Sequence, residues 1–277
     1  MKNGSNIMRT SYKAAAIALA LSLAAPMAAQ AHRSWLLPSA TVLSGSDPWV
    51  TVDAAVSNDL FYFEHNAMRL DGLKIIGPDG AEVAAENSAT GKYRSVFDVH
   101  LTKAGTYKIV VASDGLMGRY KLNGEDKRWR GSVDKLSEIP AGATDLELTQ
   151  NQRRLETFVT SGAPTEDALK PTGTGLELVP VSHPNDLVAG EEASFTFMLD
   201  GQPAADMEVT IIPGGIRYRD DLKEMKVKTD SEGTFKVTWD APGFYWISAG
   251  SRGGKASIPQ AKSRSVNYAA TVEVLAP

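Results

Sequence analysis

From Trp49 onward, apolar and polar residues alternate in short runs broken by turn residues, the period-two signature of strands with one buried face. Gly77-Pro78-Asp79-Gly80 reads as a turn leading into Ala81 to Ala84, Tyr93 to Leu101 alternates, and Ala104-Gly105 opens onto Tyr107-Lys108-Ile109-Val110-Val111. Later in the chain Phe195, Phe197 and Leu199 share one strand face before an Asp200-Gly201 turn. Met207, Val209 and Ile211 form a second face and Phe235, Val237 and Trp239 a third, with Thr229 to Gly233 as the turn between them, and Pro242-Gly243 introduces a closing strand through Ala249. No run is long and amphipathic enough to make a helix the better reading. The pattern predicts an all-β chain of two β-sandwich-like domains, the C-terminal one prealbumin-like or Ig-like. Pro171-Thr172-Gly173-Thr174-Gly175 punctuates the chain as a linker would. It divides an N-terminal β-rich domain, residues 32–171, from a C-terminal sandwich, residues 172–277. Residues 114–149, rich in charge and glycine, are expected to be a long loop insertion with a short helix in it. Trp129 there, among Lys127, Arg128 and Arg130, reads as an exposed loop residue or as a contact for an anionic ligand.

The first residues follow another rule. Lys2, Arg9 and Lys13 precede an apolar run from Ala14 to about Ala25, and Ala29-Gln30-Ala31 supplies the small residues that signal cleavage requires. Residues 1–31 are thus expected to be a signal peptide, His32 the first residue of the mature chain, and the periplasm its compartment; a start at Met8 leaves the same product. No later stretch approaches 18 apolar residues, so no membrane span is expected after cleavage. The whole chain carries 29 Lys and Arg against 33 Asp and Glu; losing three cations and no anion changes the balance from 29 − 33 = −4 to 26 − 33 = −7. Such an acidic chain argues against nucleic acid as a partner. The absence of cysteine excludes disulfides, thiolate ligands and thiol nucleophiles.

Three pieces in order carry a resemblance: Ala31-His32-Arg33-Ser34-Trp35-Leu36-Leu37-Pro38, then Gly175-Leu176-Glu177-Leu178-Val179-Pro180, then a sandwich module containing Gly201-Gln202-Pro203-Ala204-Ala205, Thr229 to Phe235 and Ala241 to Tyr245. Together they resemble the DUF4198 family, also called nickel-transport or NikM-like proteins. The resemblance implies a periplasmic β-rich protein associated with uptake of a transition metal, nickel or cobalt or iron; the nitrogen donors considered below add copper to that set. Its partners would be a metal ion or metal chelate and a membrane uptake complex. Arg33 departs from the acidic or aromatic residue that many relatives carry after the initial histidine. A cation there lowers affinity for a divalent ion unless its side chain turns away.

The chain has four histidines, and without cysteine they are its natural nitrogen ligands. An N-terminal His32 offers an imidazole Nδ1 and an α-amine that close one chelate ring, and a further imidazole completes the nitrogen set that square-planar copper(II) or nickel(II) favours. His65 follows Phe61-Tyr62-Phe63-Glu64 and, if that segment is extended, shares a face with the two phenylalanines. Period-two geometry puts Asp98 and His100 on one face of a strand, a carboxylate and an imidazole for one ion or simply a solvated face. The candidate metal ligands are therefore His32, His65, His100 and Asp98, with His32 expected to cooperate with His65 or His100. His183, before Pro184, reads as structural.

Nothing points to a catalytic site: no Gly-x-Ser-x-Gly elbow and no phosphate-cradling glycine motif is present. The leading expectation is a non-enzymatic, periplasmic metal-binding accessory protein. The alternatives are a metal-free structural or ligand-binding sandwich and a copper-dependent oxidative enzyme with an N-terminal histidine brace. The brace needs a second histidine beside the first and a flat, substrate-sized face.

Overall fold

The computed structural model describes residues 32–277; the expected signal peptide, residues 1–31, lies outside the described residues. The described chain is all-β, with strands in three sheets joined by turns and three short 3-10 helices. A five-stranded sheet runs in the order Arg33–Pro38, Trp49–Ser57, Ser95–His100, Glu86–Thr90, with Asn66–Ala67 also on Trp49–Ser57. A four-stranded sheet is built on Glu192–Leu199, with Leu176–Pro180, Gln202–Pro203 and Thr234–Thr238 as its neighbours.

A ten-stranded sheet connects the two halves. Its centre is Thr144–Ser161, which pairs antiparallel with Gly105–Leu122 on one side and parallel with Ser263–Val274 on the other. Thr144–Ser161 belongs to both sandwiches, and its side chains show why. Leu155 and Val159 face a core with Leu36, Val52, Phe97 and Ile109, under the five-stranded sheet. Phe158, on the other face, enters a core with Phe195, Phe197, Val209, Trp239 and Tyr268. Leu155 to Ser161 are consequently all buried, which erases the alternation expected of a strand with one wet face.

The chain is not divided cleanly at residue 171: Phe158 and Leu169, which precede it, belong to the core of Phe195 and Tyr268, and the ten-stranded sheet has strands from both sides of it. Charged side chains tie the crossing together: buried Glu177 accepts backbone N–H bonds from Thr172, Gly173 and Thr174, and pairs with Arg154 at 3.1 Å. Arg154 also meets buried Glu156, which accepts the Tyr268 hydroxyl at 2.6 Å. Burial first and the Glu156 charge second hold that phenol well above its ordinary pKa. Arg264 reaches Gln152 at 2.7 Å through Nε and Asp200 at 2.9 Å.

Residues 114–149 differ from the expected loop insertion. They continue Gly105–Leu122, add the strand Glu125–Gly131 and the 3-10 helix Val133–Glu138, and start Thr144–Ser161. The missed signal is Asn123-Gly124: both residues have positive φ, 54° and 81°, as a two-residue hairpin turn of the mirror type demands, and Leu122 pairs with Glu125 across it. Trp129 lies over Gly118 and Gly131, where a Cβ would strike its ring at 2.5 Å in the latter case, and its indole N–H points to Glu138 at 3.4 Å. Its flat packing thus explains the glycines around it.

Candidate metal site

Trp49–Ser57 is the ruler for the candidate ligands. Arg33 pairs with Ser57 at one end, so His32 and Asn58 are the next residues out, and His32 Nδ1 donates to Asn58 Oδ1 at 2.6 Å. Beyond Ser57 the chain makes a tight loop. Ser57 Oγ accepts the Trp35 indole N–H at 3.1 Å and donates to the Asp59 carbonyl at 2.5 Å. Glu64 Oε1 accepts the backbone N–H groups of Asn58 and Asp59, both at 3.0 Å, and so closes the loop on itself. The next residue, His65, is folded back onto His32 with ring centroids 3.8 Å apart and planes 39° from parallel.

The loop is seated on aromatic packing. Phe61 meets Trp35 edge-on at 5.5 Å and Phe63 meets it at 5.1 Å, above buried Leu60, Ile212 and Ile216. Phe61 holds φ at 59°, an uncommon conformation for a bulky residue, and its ring presses on Gly214, where a Cβ would lie 3.1 Å from it. The segment is thus a turn rather than the extended stretch expected, and Phe61 and Phe63 serve as anchors that fix where His65 emerges. The C-terminal half supplies the rest of the wall: Trp246 donates its indole N–H to the Ser34 carbonyl at 3.1 Å, and the Arg217 guanidinium lies 4.0 Å from the centre of the Tyr62 ring.

Arg33 turns partly aside. Its Nη1 donates to the Asn58 carbonyl at 2.9 Å and its guanidinium lies 6.0 Å from the Trp246 ring centre. The charge nevertheless stays within one residue of both His32 and Asn58.

His100 and Asp98 are elsewhere. His100 pairs with Trp49, at the other end of the same nine-residue strand, so about 26 Å of extended chain separates it from the His32 end. Its ring stacks on Trp49 at 4.2 Å and 7°, and Nε2 donates to Asp47 at 2.5 Å. Asp98 shares its face, but accepts from Thr51 Oγ1 at 2.6 Å and Asn87 Nδ2 at 2.9 Å, and these two bonds hold its carboxyl below the usual carboxylate range. Of the two expected partners of His32, strand register puts His100 at the far end of the strand, and His65 is the one brought alongside. His183 is held by protein groups: Nε2 donates to Thr106 Oγ1 at 3.0 Å and the Thr165 carbonyl at 3.3 Å, while Nδ1 accepts the Asn185 N–H at 3.1 Å. Burial lowers its pKa, partly offset by the Thr165 bond.

Among the described residues no three His, Asp or Glu side chains cluster as a ready-made cage. The donors at the His32 end are two imidazoles, the Asn58 amide oxygen and, in a chain beginning at His32, the α-amine. By donor type this nitrogen-rich set suits a borderline divalent ion and not magnesium or calcium, which want many oxygens. In a chain beginning at His32, the amine and Nδ1 would hold an ion only if the Nδ1–Asn58 hydrogen bond were given up. Asn58, Glu64 and Arg217 were not candidates from the sequence, because their place depends on a strand pairing and a loop closure that carry no local motif.

The solved structures that match the chain are distant. The D0-D1 domain of Intimin is 13% identical over 87% of this chain and 97% of that chain, with a TM-score of 0.22. Clostridium thermocellum CbhA fibronectin(III)-like modules are 9% identical over 87% and 94%, TM-score 0.21. A DUF3823 family protein from Bacteroides uniformis is 10% identical over 77% and 93%, TM-score 0.25. No curated protein matches the sequence. The model of one family, Domain of unknown function (DUF4198), matches residues 29–253, most of the length, and the chain belongs to that family.

Proposed function

We propose that this is a periplasmic binding protein for a borderline divalent transition metal, nickel, cobalt, copper or iron, captured at His32 and His65 and passed to a membrane uptake complex. One observation carries the reading: the two imidazoles lie with ring centroids 3.8 Å apart at the residue expected to be the mature N-terminus. Two imidazoles and, in a chain beginning at His32, the α-amine supply up to three nitrogen donors. Glu64 and the Phe61–Trp35–Phe63 packing hold the loop that presents His65, so the protein's part is to pre-position ligands, and the ion's part is to join them.

The test starts with protein recovered from the periplasm, whose N-terminal residue is expected to be His32. Calorimetric titration of that material with copper(II), nickel(II) and cobalt(II), against magnesium and calcium, is expected to show one site for the first group alone. An added residue before His32, which moves the amine away, is expected to weaken it. A mature chain starting elsewhere, or equal binding by all ions, overturns the reading.

The imidazole pair also favours a second reading, a copper-dependent oxidative enzyme. It predicts peroxide formation from ascorbate and oxygen by the copper-loaded protein well above that of free copper; binding without this reaction supports the carrier.

A further inference from the structure

We propose that the open face of the ten-stranded sheet, around the hairpin of Gly105–Leu122 and Glu125–Gly131, is a docking surface for an acidic polysaccharide, an extended chain whose sugar units carry carboxylates. It does not depend on the metal reading.

Strand parity creates the surface. Leu155 and Val159 face the core under the five-stranded sheet, and the same face of Thr144–Ser161 continues back along the strand as Arg153, Asn151 and Thr149, with Arg153 exposed. Register carries that face sideways. On one side Asn151 and Thr149 stand opposite Gly115 and Met117, Met117 opposite Arg130, and Arg119 opposite Arg128. On the other side Asn151 stands opposite Ser265, and Ser265 opposite Arg252. Arg119, Arg128, Arg130, Arg153 and Arg252 are all exposed and share this face, over five adjacent strands and so about 19 Å across. The reverse face of the hairpin is the packed one, where Leu116 and Leu148 are buried and Trp129 covers Gly118.

The face carries uncompensated positive charge. The arginines that pair with carboxylates among the described residues are Arg69, Arg94, Arg154 and Arg264, so none of these five does. Acids at the rim are engaged with lysines: Glu147, opposite Arg119 in register, reaches Lys262 at 3.2 Å, and Asp145 reaches Lys121 at 3.4 Å. Arg119 and Arg128 stand directly across from one another, a like-charge pair about 5 Å apart at Cβ that works against the hairpin. Folding gains nothing from that placement, and an anion lying between the two guanidinium groups turns their repulsion into attraction.

The neighbours of the arginines narrow the class of anion. Guanidinium forks match planar carboxylates. Ser113 and Asn267, the register partners of Arg153, and Asn151 offer neutral donors and acceptors suited to hydroxyl groups. Charges spread over five strands suit an extended chain better than a small ligand. Of large apolar side chains this face exposes Met117, which is too little for the apolar centre of a protein interface or for insertion into a bilayer.

The experiment uses the chain beginning at His32 and four probes at matched concentrations of charged group or sugar unit: oligogalacturonate, its methyl ester, polyglutamate and phosphatidylglycerol vesicles. Oligogalacturonate is expected to bind, more weakly as salt rises, and the other three to bind at least about tenfold more weakly. The triple variant Arg119→Gln, Arg128→Gln, Arg130→Gln is expected to lose about tenfold or more in affinity for oligogalacturonate while melting no lower than wild type, since it relieves a like-charge pair. Arg69→Gln, which removes an exposed arginine elsewhere, is expected to change nothing. Arg128→Glu alone, expected to weaken binding, serves as the second variant should the triple one melt lower. Absence of oligogalacturonate binding, retention of it in the arginine variants, an equal loss in Arg69→Gln, or equal binding of polyglutamate or vesicles overturns the proposal.

Discussion

The two ends of the Trp49–Ser57 strand each carry histidine and a neighbouring aromatic, and they do opposite things with them. At the Trp49 end, His100 is flat against the indole and bonded to Asp47, and Asp98 is bonded to Thr51 and Asn87. His100 Nε2 and both Asp98 carboxylate oxygens there have partners from the protein. At the Ser57 end, aromatic rings lie under the loop rather than against the imidazoles, and the imidazoles face each other. Residue type makes an imidazole available; what surrounds it decides whether it lies against an indole and a carboxylate or against a second imidazole.

The largest test of this contrast is deletion of the side chains. His32→Ala or His65→Ala is expected to lower copper(II) or nickel(II) affinity by more than about 100-fold, as befits loss of a direct ligand, while His100→Ala and Asp98→Ala change it less than about twofold. Equal losses at both ends, measured by calorimetry, would dissolve the distinction.

Acid comes next. Protons compete with metal for imidazole nitrogen, so affinity is expected to fall by up to about tenfold per pH unit for each proton displaced. Acid also acts on the fold through His183. Burial depresses its pKa, so the folded chain holds it neutral while the unfolded chain takes up a proton near the ordinary value of about 6.5. Its contribution is therefore complete above that value and declines as pH falls toward the lowered one. Denaturant melts of wild type and His183→Gln between pH 8 and 5 are expected to show a shallower acid decline in the variant. Metal release that persists in His183→Gln belongs to the His32 end.

Glu64 sharpens the comparison further, since it holds the loop that presents His65 through two backbone N–H groups. Glu64→Ala frees the Asn58 and Asp59 N–H groups, and is expected to weaken metal binding about tenfold, the usual effect of removing a group that orients a ligand. Glu64→Gln, which keeps an acceptor oxygen, is expected to restore most of it. A Glu64→Ala protein with wild-type affinity would mean that the loop needs no such tie.

The smallest effects are expected at the Trp49 end. Asp47→Ala removes a solvent-exposed partner of His100 and Trp49→Ala a half-exposed stack, each worth about 1 kcal/mol or less in stability. Neither is expected to alter metal affinity.

Much of this could be read along the chain and some of it could not. Period-two alternation determined the all-β class, and Phe195, Val209 and Val237 do face one core. The three quoted sequence pieces pointed to the family that the match over residues 29–253 establishes. Alternation failed where a strand is buried on both faces, as from Leu155 to Ser161, and where a hairpin is mostly charged, as around Asn123-Gly124. In the first case both parities are apolar or satisfied; in the second neither face of the ribbon has a core to mark it.

The candidate site divides in the same way. The four histidines and the absence of thiols are properties of the sequence, and they determined which side-chain nitrogen donors exist. Tertiary structure decided which of them meet. Antiparallel register sets Asn58 opposite His32, two backbone N–H groups captured by Glu64 bend the loop until His65 returns, and the same strand carries His100 about 26 Å away. Sequence spacing cannot rank those two histidines as partners of His32, because pairing between strands is set by long-range packing and loop closure rather than by any local pattern.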